Sequence, residues 1–271
     1  MLAVLSNLAL IGYACATGLA LAYLVQREEI VHRLASLATL AGWVVHSIAL
    51  IVLAVEAGRP PLGSLPDAVS TAVWVVVLLE MLLERQYRIP ALGAFVMPVV
   101  LVLSLKSFAA RPSTLQQLGE TFRGAWVWVH IGLAMIGIAA FVLNFAGALM
   151  YLLQERQLKA KRRPGAFYYR LPDLQTLDRL TYRTLALGFP FLTTGLILGA
   201  LWARTAWGSL LTFDPLASLS FIAWAIYAAT LAGRAVAGLH GRRAAYFAVF
   251  GFTVLVLTLG AGLFLPGRHG S

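Results

Sequence analysis

Eight long apolar runs divide the chain, and short polar connectors separate them. The runs are roughly 4–25, 34–56, 67–84, 90–106, 125–153, 184–203, 216–236 and 244–265. Each is close to the roughly 20 residues that an α-helix needs to cross a bilayer. Backbone polar groups in lipid must be satisfied within the segment, and the alternating polarity of a membrane β-barrel is absent. The pattern therefore predicts an all-α, polytopic integral membrane protein with about eight transmembrane helices.

Composition and charge placement agree with a membrane protein. The chain is 60% hydrophobic and 12% charged, which excludes an ordinary soluble domain. Its net charge of +10 does not indicate nucleic acid, because 15 of the 21 Lys and Arg residues fall in alternate connectors. Positive charge marks the cytoplasmic side and contacts anionic lipid headgroups. We therefore expect a multi-pass protein of the bacterial inner membrane, with both termini on the outer, periplasmic side.

The longest basic connector is predicted to have structure of its own. Within 154–183, the start Leu171-Pro172-Asp173 and the leucines after it favour a short amphipathic helix lying on the membrane surface. Neither repeats nor low-complexity tracts interrupt the chain, so residues 1–271 are interpreted as a single membrane domain. Two polar residues lie inside predicted spans. Glu80 can snorkel or pair with Arg85, and Asn144 suits a hydrogen bond between helices.

Three histidines are candidates for chemistry. His46 lies inside the second run, His130 lies at the outer end of the fifth run near Trp126 and Trp128, and His269 is on the tail. A neutral imidazole can be an axial ligand of haem iron, and aromatic rings can flank a porphyrin. Each also has a plain alternative. The tryptophans suit an interfacial aromatic belt, His46 suits a hydrogen bond to a neighbouring helix, and His269 suits an unattached tail residue.

A tryptophan-containing connector carries a resemblance to a known family. The stretch from Gly199 to Trp224 contains WARTAWGSLLTFDP at 202–215, and it resembles the WWD segment of cytochrome c assembly proteins of the CcsA/ResC type, especially the HemX/YpjD-like branch. The positions that fit are Trp202, Ala203, Ala206, Trp207, Gly208, Asp214, Pro215 and Trp224. Leu211 and Phe213 stand where the family has later tryptophans, and Leu216 stands where it has lysine. His130 matches the histidine that precedes the segment.

The resemblance implies a haem-handling assembly factor rather than a classical enzyme. It implies that b-type haem binds non-covalently at the outer face, with His130 and His269 as the iron ligands and His46 as a fallback. The residues it implies around the haem are Trp202, Trp207, Phe213, Asp214, Trp126 and Trp128. Other assembly proteins and apocytochrome c would be the partners. A histidine that the family carries within a later span is replaced by Ala232.

Two other function classes are alternatives. The HemX-like branch implies a regulatory or scaffold protein that acts through 154–183 on a soluble enzyme of tetrapyrrole synthesis. A small-solute transporter is less favoured, because the chain lacks the matched halves that many transporter folds show.

Overall fold

The chain folds as a bundle of long α-helices. The computed structural model describes residues 1–26, 28–109, 125–160, 168–207 and 215–264, and all its regular elements there are helical. They are α1 (Leu2–Val25), α2 (Glu29–Ala57), α3 (Leu65–Tyr87), α4 (Leu92–Ala109), α5 (Ala125–Lys159), a 3₁₀ turn (Tyr168–Arg170), α6 (Leu174–Trp207), α7 (Pro215–Val236) and α8 (Arg242–Phe264). Each α-helix corresponds to one predicted apolar run.

Most of these helices are long and apolar enough to cross a membrane. Within the described ranges, six meet that condition: α1, α2, α3, α5, α6 and α7. Leu92–Leu105, inside α4, is a shorter apolar helix, and α8 has 23 residues. The prediction of an all-α polytopic membrane protein is therefore confirmed. A full crossing by α4 and by α8 stays a prediction.

Helix α5 forms the centre of the bundle. It packs against α3, α4, α6 and α8, and its middle is closed to solvent. The fully buried residues there are Ala139, Ala140, Phe141, Leu143, Ala146, Ala148 and Met150. By contrast, α1 and α2 pack mainly on each other and leave apolar side chains such as Ile11 and Ile51 exposed. Apolar residues exposed on a membrane-spanning helix are suited to lipid, so α1 and α2 lie at the edge of the bundle.

The two polar residues inside predicted spans have different surroundings. Asn144 Nδ2 donates a hydrogen bond of 2.6 Å to the carbonyl oxygen of Thr181 on α6, which confirms the predicted hydrogen bond between helices. Glu80 is only 2% exposed, so the prediction that it snorkels to the surface is wrong. Its carboxyl group hydrogen-bonds to Glu84 and lies beside Gly93 of α4. The neighbouring helices cover Glu80, which a single span considered alone does not reveal.

The prediction of a separate amphipathic helix on the membrane surface within 154–183 is wrong. Leu174 begins α6, which continues through Gly188 and Pro190 to Trp207. Neither proline nor glycine separates Leu174 from the apolar run that begins near residue 184, so the two segments form one helix. Leu177 and Leu180 are fully buried in the core rather than lying on a membrane surface. Asp173 caps the helix: its carboxylate accepts hydrogen bonds from the Thr176 hydroxyl and backbone N–H, which lower the pKa of Asp173.

The bundle has two chemically different ends. The basic end contains the connectors after α1, α3, α5 and α7, and the Trp-rich end contains Trp126, Trp128, Trp202 and Trp207. At the basic end, the Arg170 guanidinium donates hydrogen bonds to the carbonyl oxygens of Gln26 (3.0 Å) and Val25 (3.3 Å). Arg170 also lies over the ring of Tyr23. These contacts cap the C-terminus of α1 and hold the start of α6 beside it.

The charge difference between the ends predicts the orientation in the membrane. Reporter fusions after Arg163 and Arg243 should report the cytoplasm, and fusions after Thr114 and Ser209 the opposite side. A phosphatase reporter, active only outside the cytoplasm, and a fluorescent reporter, active only inside, measure this at each position. An extracytoplasmic signal after Arg163 would invert the topology and move the Trp-rich end to the cytoplasm.

Candidate functional site

His130 lies in the second turn of α5, at the Trp-rich end. Its half-buried ring rests on α6, where Nδ1 donates a hydrogen bond of 2.6 Å to the carbonyl oxygen of Gly195. A carbonyl oxygen can only accept, so Nδ1 must carry the hydrogen. In a neutral imidazole the lone pair is then on Nε2. Metal-binding histidines commonly have this arrangement, in which the second nitrogen donates to a backbone carbonyl and orients the ring.

Two tryptophans lie one helical turn closer to the Trp-rich end than His130. Trp126 is on the side of α5 that carries His130, and Trp202 is on the side of α6 that His130 contacts. Trp126 precedes His130 by one turn of α5 and is 69% exposed. On the antiparallel α6, Trp202 follows Gly199, which contacts the His130 ring, by about one turn. One turn is about 5.4 Å along a helix. The histidine therefore lies between α5 and α6 below a tryptophan from each helix, with half-buried Trp128 nearby in sequence.

The first half of the predicted WWD-like loop is helical. Residues 202–207 form the last turns of α6, so the prediction that 202–215 is a connector is wrong for Trp202 and for the backbone of Trp207. The helix α7 begins at Pro215, and proline is favoured at the first position of a helix because its φ is already helical. Phe213, Asp214 and His269 lie outside the described residues. Their predicted roles, and that of the Trp207 side chain, stay predictions.

His46 differs from His130 in the hydrogen bonds that its ring makes. It is fully buried within α2, and both ring nitrogens are in hydrogen bonds. Nδ1 is 2.9 Å from the Tyr13 hydroxyl of α1, and Nε2 is 2.8 Å from the Ser70 hydroxyl of α3. Binding to iron would break one of these hydrogen bonds. The geometry favours the predicted alternative, a hydrogen bond to a neighbouring helix, and gives no support to His46 as a ligand.

The backbone of α6 contributes contacts to His130 that the pattern of histidines and tryptophans in the sequence does not indicate. Gly195 supplies the acceptor for His130, and Gly199 lies directly under the ring. A signal for this contact was present in the sequence. Gly195-Leu-Ile-Leu-Gly199 is a G-x-x-x-G pattern, which in apolar helices marks a face where another helix approaches closely.

Comparison with known proteins identifies the family. A family model described as "Cytochrome C assembly protein" matches residues 62–268, which is most of the chain. The chain belongs to the cytochrome c assembly protein family. This confirms the resemblance found in the sequence.

Individual members of the family match over most of their length. The chain is 30% identical to the cytochrome c biogenesis protein CcsA of Guillardia theta over 233 residues, which cover 79% of this chain and 77% of that protein. It is 32% identical to CcsA of Parasynechococcus marenigrum (strain WH8102) over 239 residues, covering 79% and 78% respectively. Both relatives bear the name CcsA, so membership of the HemX-like branch stays a prediction.

A solved structure shares the fold. The cytochrome c haem lyase CcmF superposes with a TM-score of 0.68 and 20% sequence identity. The match covers 96% of this chain, which spans 46% of the length of CcmF. At this identity the comparison supports the helical fold and does not by itself transfer an activity.

Proposed function

We propose that this protein acts in cytochrome c maturation by binding haem non-covalently at its Trp-rich end, with His130 as an axial ligand of the iron. Family membership and the CcsA relatives support the role in maturation. The observation that carries the haem site is the 2.6 Å hydrogen bond from Nδ1 of His130 to Gly195, because histidines that bind a metal through Nε2 commonly donate from Nδ1 to a backbone carbonyl. Haem is the cargo here, rather than a resident cofactor.

The donor groups at the Trp-rich end fit haem better than a bare metal ion. Among the described residues there is no group of three or more His, Cys, Asp or Glu side chains that could hold an ion. Haem brings its own in-plane nitrogens and needs only axial ligands from protein. Trp126 and Trp202 offer apolar, planar surfaces on the two helices that flank His130. The resulting site, with one histidine and adjacent aromatic rings, suits a porphyrin.

The remainder of the proposed site comes from the resemblance. We propose His269 as the second iron ligand, and Trp207, Phe213, Asp214 and Trp128 as further haem-contacting residues. The reaction partners would be apocytochrome c and other assembly proteins, at the outer face of a bacterial inner membrane. In that arrangement the chain would present haem to apocytochrome c, and it would not carry out the attachment of haem without its partners.

An absorption spectrum tests the proposal directly. The protein, purified in detergent after expression with added haem precursor, should show a Soret band and the α and β bands of low-spin haem. A band that disappears on washing with detergent, or a folded protein that takes up no haem, would contradict the haem site. The second outcome would favour the HemX-like alternative, in which 154–183 acts on a soluble enzyme.

A further inference from the structure

Glycines on α6 bring His130 unusually close to that helix. An ideal Cβ on Gly199 would lie 2.7 Å from Cε1 of His130, 3.0 Å from Nδ1 and 3.3 Å from Nε2. Real Cβ atoms essentially never approach other heavy atoms within 3.0 Å. The imidazole therefore occupies the space in which any other residue at position 199 would place its side chain. Four residues earlier, Gly195 supplies the carbonyl oxygen that accepts from Nδ1.

Resting on the proposed function, we propose that Gly199 is a positioning residue for the haem ligand. Because it has no Cβ, the His130 ring can reach the Gly195 carbonyl, and that hydrogen bond selects the tautomer with the hydrogen on Nδ1. The selected tautomer presents Nε2 to iron. A side chain at position 199 would push the ring away from Gly195 and break this hydrogen bond. The hydrogen could then lie on either ring nitrogen, so that Nδ1 and Nε2 would compete for the metal.

Other close contacts between α5 and α6 fix the position of His130 along the helix axis relative to Gly195 and Gly199. An ideal Cβ on Gly188 would lie 2.9 Å from Cβ of Ala140, and one on Gly137 would lie 3.1 Å from the backbone nitrogen of Leu192. These contacts lie about two to three turns from His130 along α5 and involve no imidazole atom. Gly188 is therefore a matched control, since adding a methyl group there disturbs equally tight packing between the same helices without touching the ligand.

The tautomer can be measured without haem. In haem-free protein labelled with ¹⁵N-histidine, the His130 resonances, identified by their loss in His130→Ala, should show the hydrogen on Nδ1. Gly199→Ala should lose this pattern, whereas Gly188→Ala should keep it. Wild-type protein with the hydrogen on Nε2 would overturn the proposal without any glycine variant, even if Gly199→Ala did not fold. An unchanged Nδ1–H pattern in folded Gly199→Ala would also overturn it.

Haem binding provides the second measurement. Gly199→Ala should weaken haem binding by about 10- to 100-fold, the usual effect of losing the group that orients a metal ligand. Its spectrum should shift toward high-spin, and added imidazole should restore the low-spin form. Gly188→Ala should retain the low-spin spectrum, and an equal loss in both glycine variants would reduce Gly199 to a packing role. If wild-type protein bound no haem, the proposed function would fail while the tautomer experiment would still decide the role of Gly199.

Discussion

Replacing His130 with alanine is expected to convert the haem-loaded protein from a low-spin to a high-spin absorption spectrum. The substitution removes the Nε2 lone pair, while Trp126 and Trp202 still offer apolar surface to the porphyrin. Bound haem should therefore persist in part with an altered spectrum, and added imidazole should restore the low-spin bands by occupying the vacated ligand position. The Soret and α/β bands, recorded with and without imidazole, measure both effects.

Two other histidines provide controls for this experiment. His32 and His240 lie at the basic end, where His32 is 3.4 Å from the Glu84 carboxylate and Nδ1 of exposed His240 donates to the Gly238 carbonyl oxygen. Neither is near the Trp-rich end, so alanine at either position should leave the spectrum unchanged. A His130→Ala protein with the wild-type low-spin spectrum would show that another residue binds the iron.

Loss of the Asp178 carboxylate is expected to destabilise the bundle strongly. Arg234 at the end of α7 has a side chain only 4% exposed, and its Nη2 and Nη1 donate to the two Asp178 oxygens at 2.8 Å and 3.3 Å. Asp178 also accepts a hydrogen bond of 2.9 Å from the backbone N–H of Gly241, in the α7–α8 connector. Asp178→Ala would leave a buried guanidinium without its counter-ion, which costs about 3–5 kcal/mol.

Thermal unfolding in detergent, followed by circular dichroism, measures this loss. At about 2–4 °C for each kcal/mol, the midpoint of Asp178→Ala should fall by about 10 °C. Removing the charge as well, in Asp178→Ala/Arg234→Met, should recover much of the stability, because a buried ion pair can be replaced by apolar residues at little cost. The exposed pair Glu29–Arg33 is the control, and Glu29→Ala should leave the unfolding midpoint nearly unchanged. A double variant no more stable than Asp178→Ala would argue against the buried-charge explanation.

The helical architecture could be predicted because hydrophobicity is a local property. Each apolar run became one helix, and Pro215 begins α7 as its position before an apolar run indicates. Boundaries on the basic side were less predictable. Leu177 and Leu180 have the spacing of an amphipathic surface helix, but they pack in the core because α5 covers them, with Leu180 against Gly147. Spacing shows which side of a helix is apolar and does not show whether lipid or protein covers that side.

The candidate site divides in the same way. Sequence alone made His130 the first candidate for the iron ligand, because it combines a position at the outer end of its span with adjacent tryptophans and a match to the family pattern. It held His46 as a fallback ligand and could not show which groups either ring contacts. Both are histidines within apolar helices, and only the folded chain shows that His46 bonds Tyr13 and Ser70 whereas Nδ1 of His130 bonds a backbone carbonyl.

What the amino-acid sequence determined by itself is the membrane setting, the helices and the family, since these follow from runs of apolar residues and from residues close together in the chain. The tertiary structure alone decided the tautomer of His130 and the pairing of Asp178 with Arg234. Both depend on atoms separated by more than fifty residues, 65 between His130 and Gly195 and 56 between Asp178 and Arg234. Such contacts form only when helices pack at one particular height and rotation. For His130, the close approach of α5 and α6 through their glycines provides that packing.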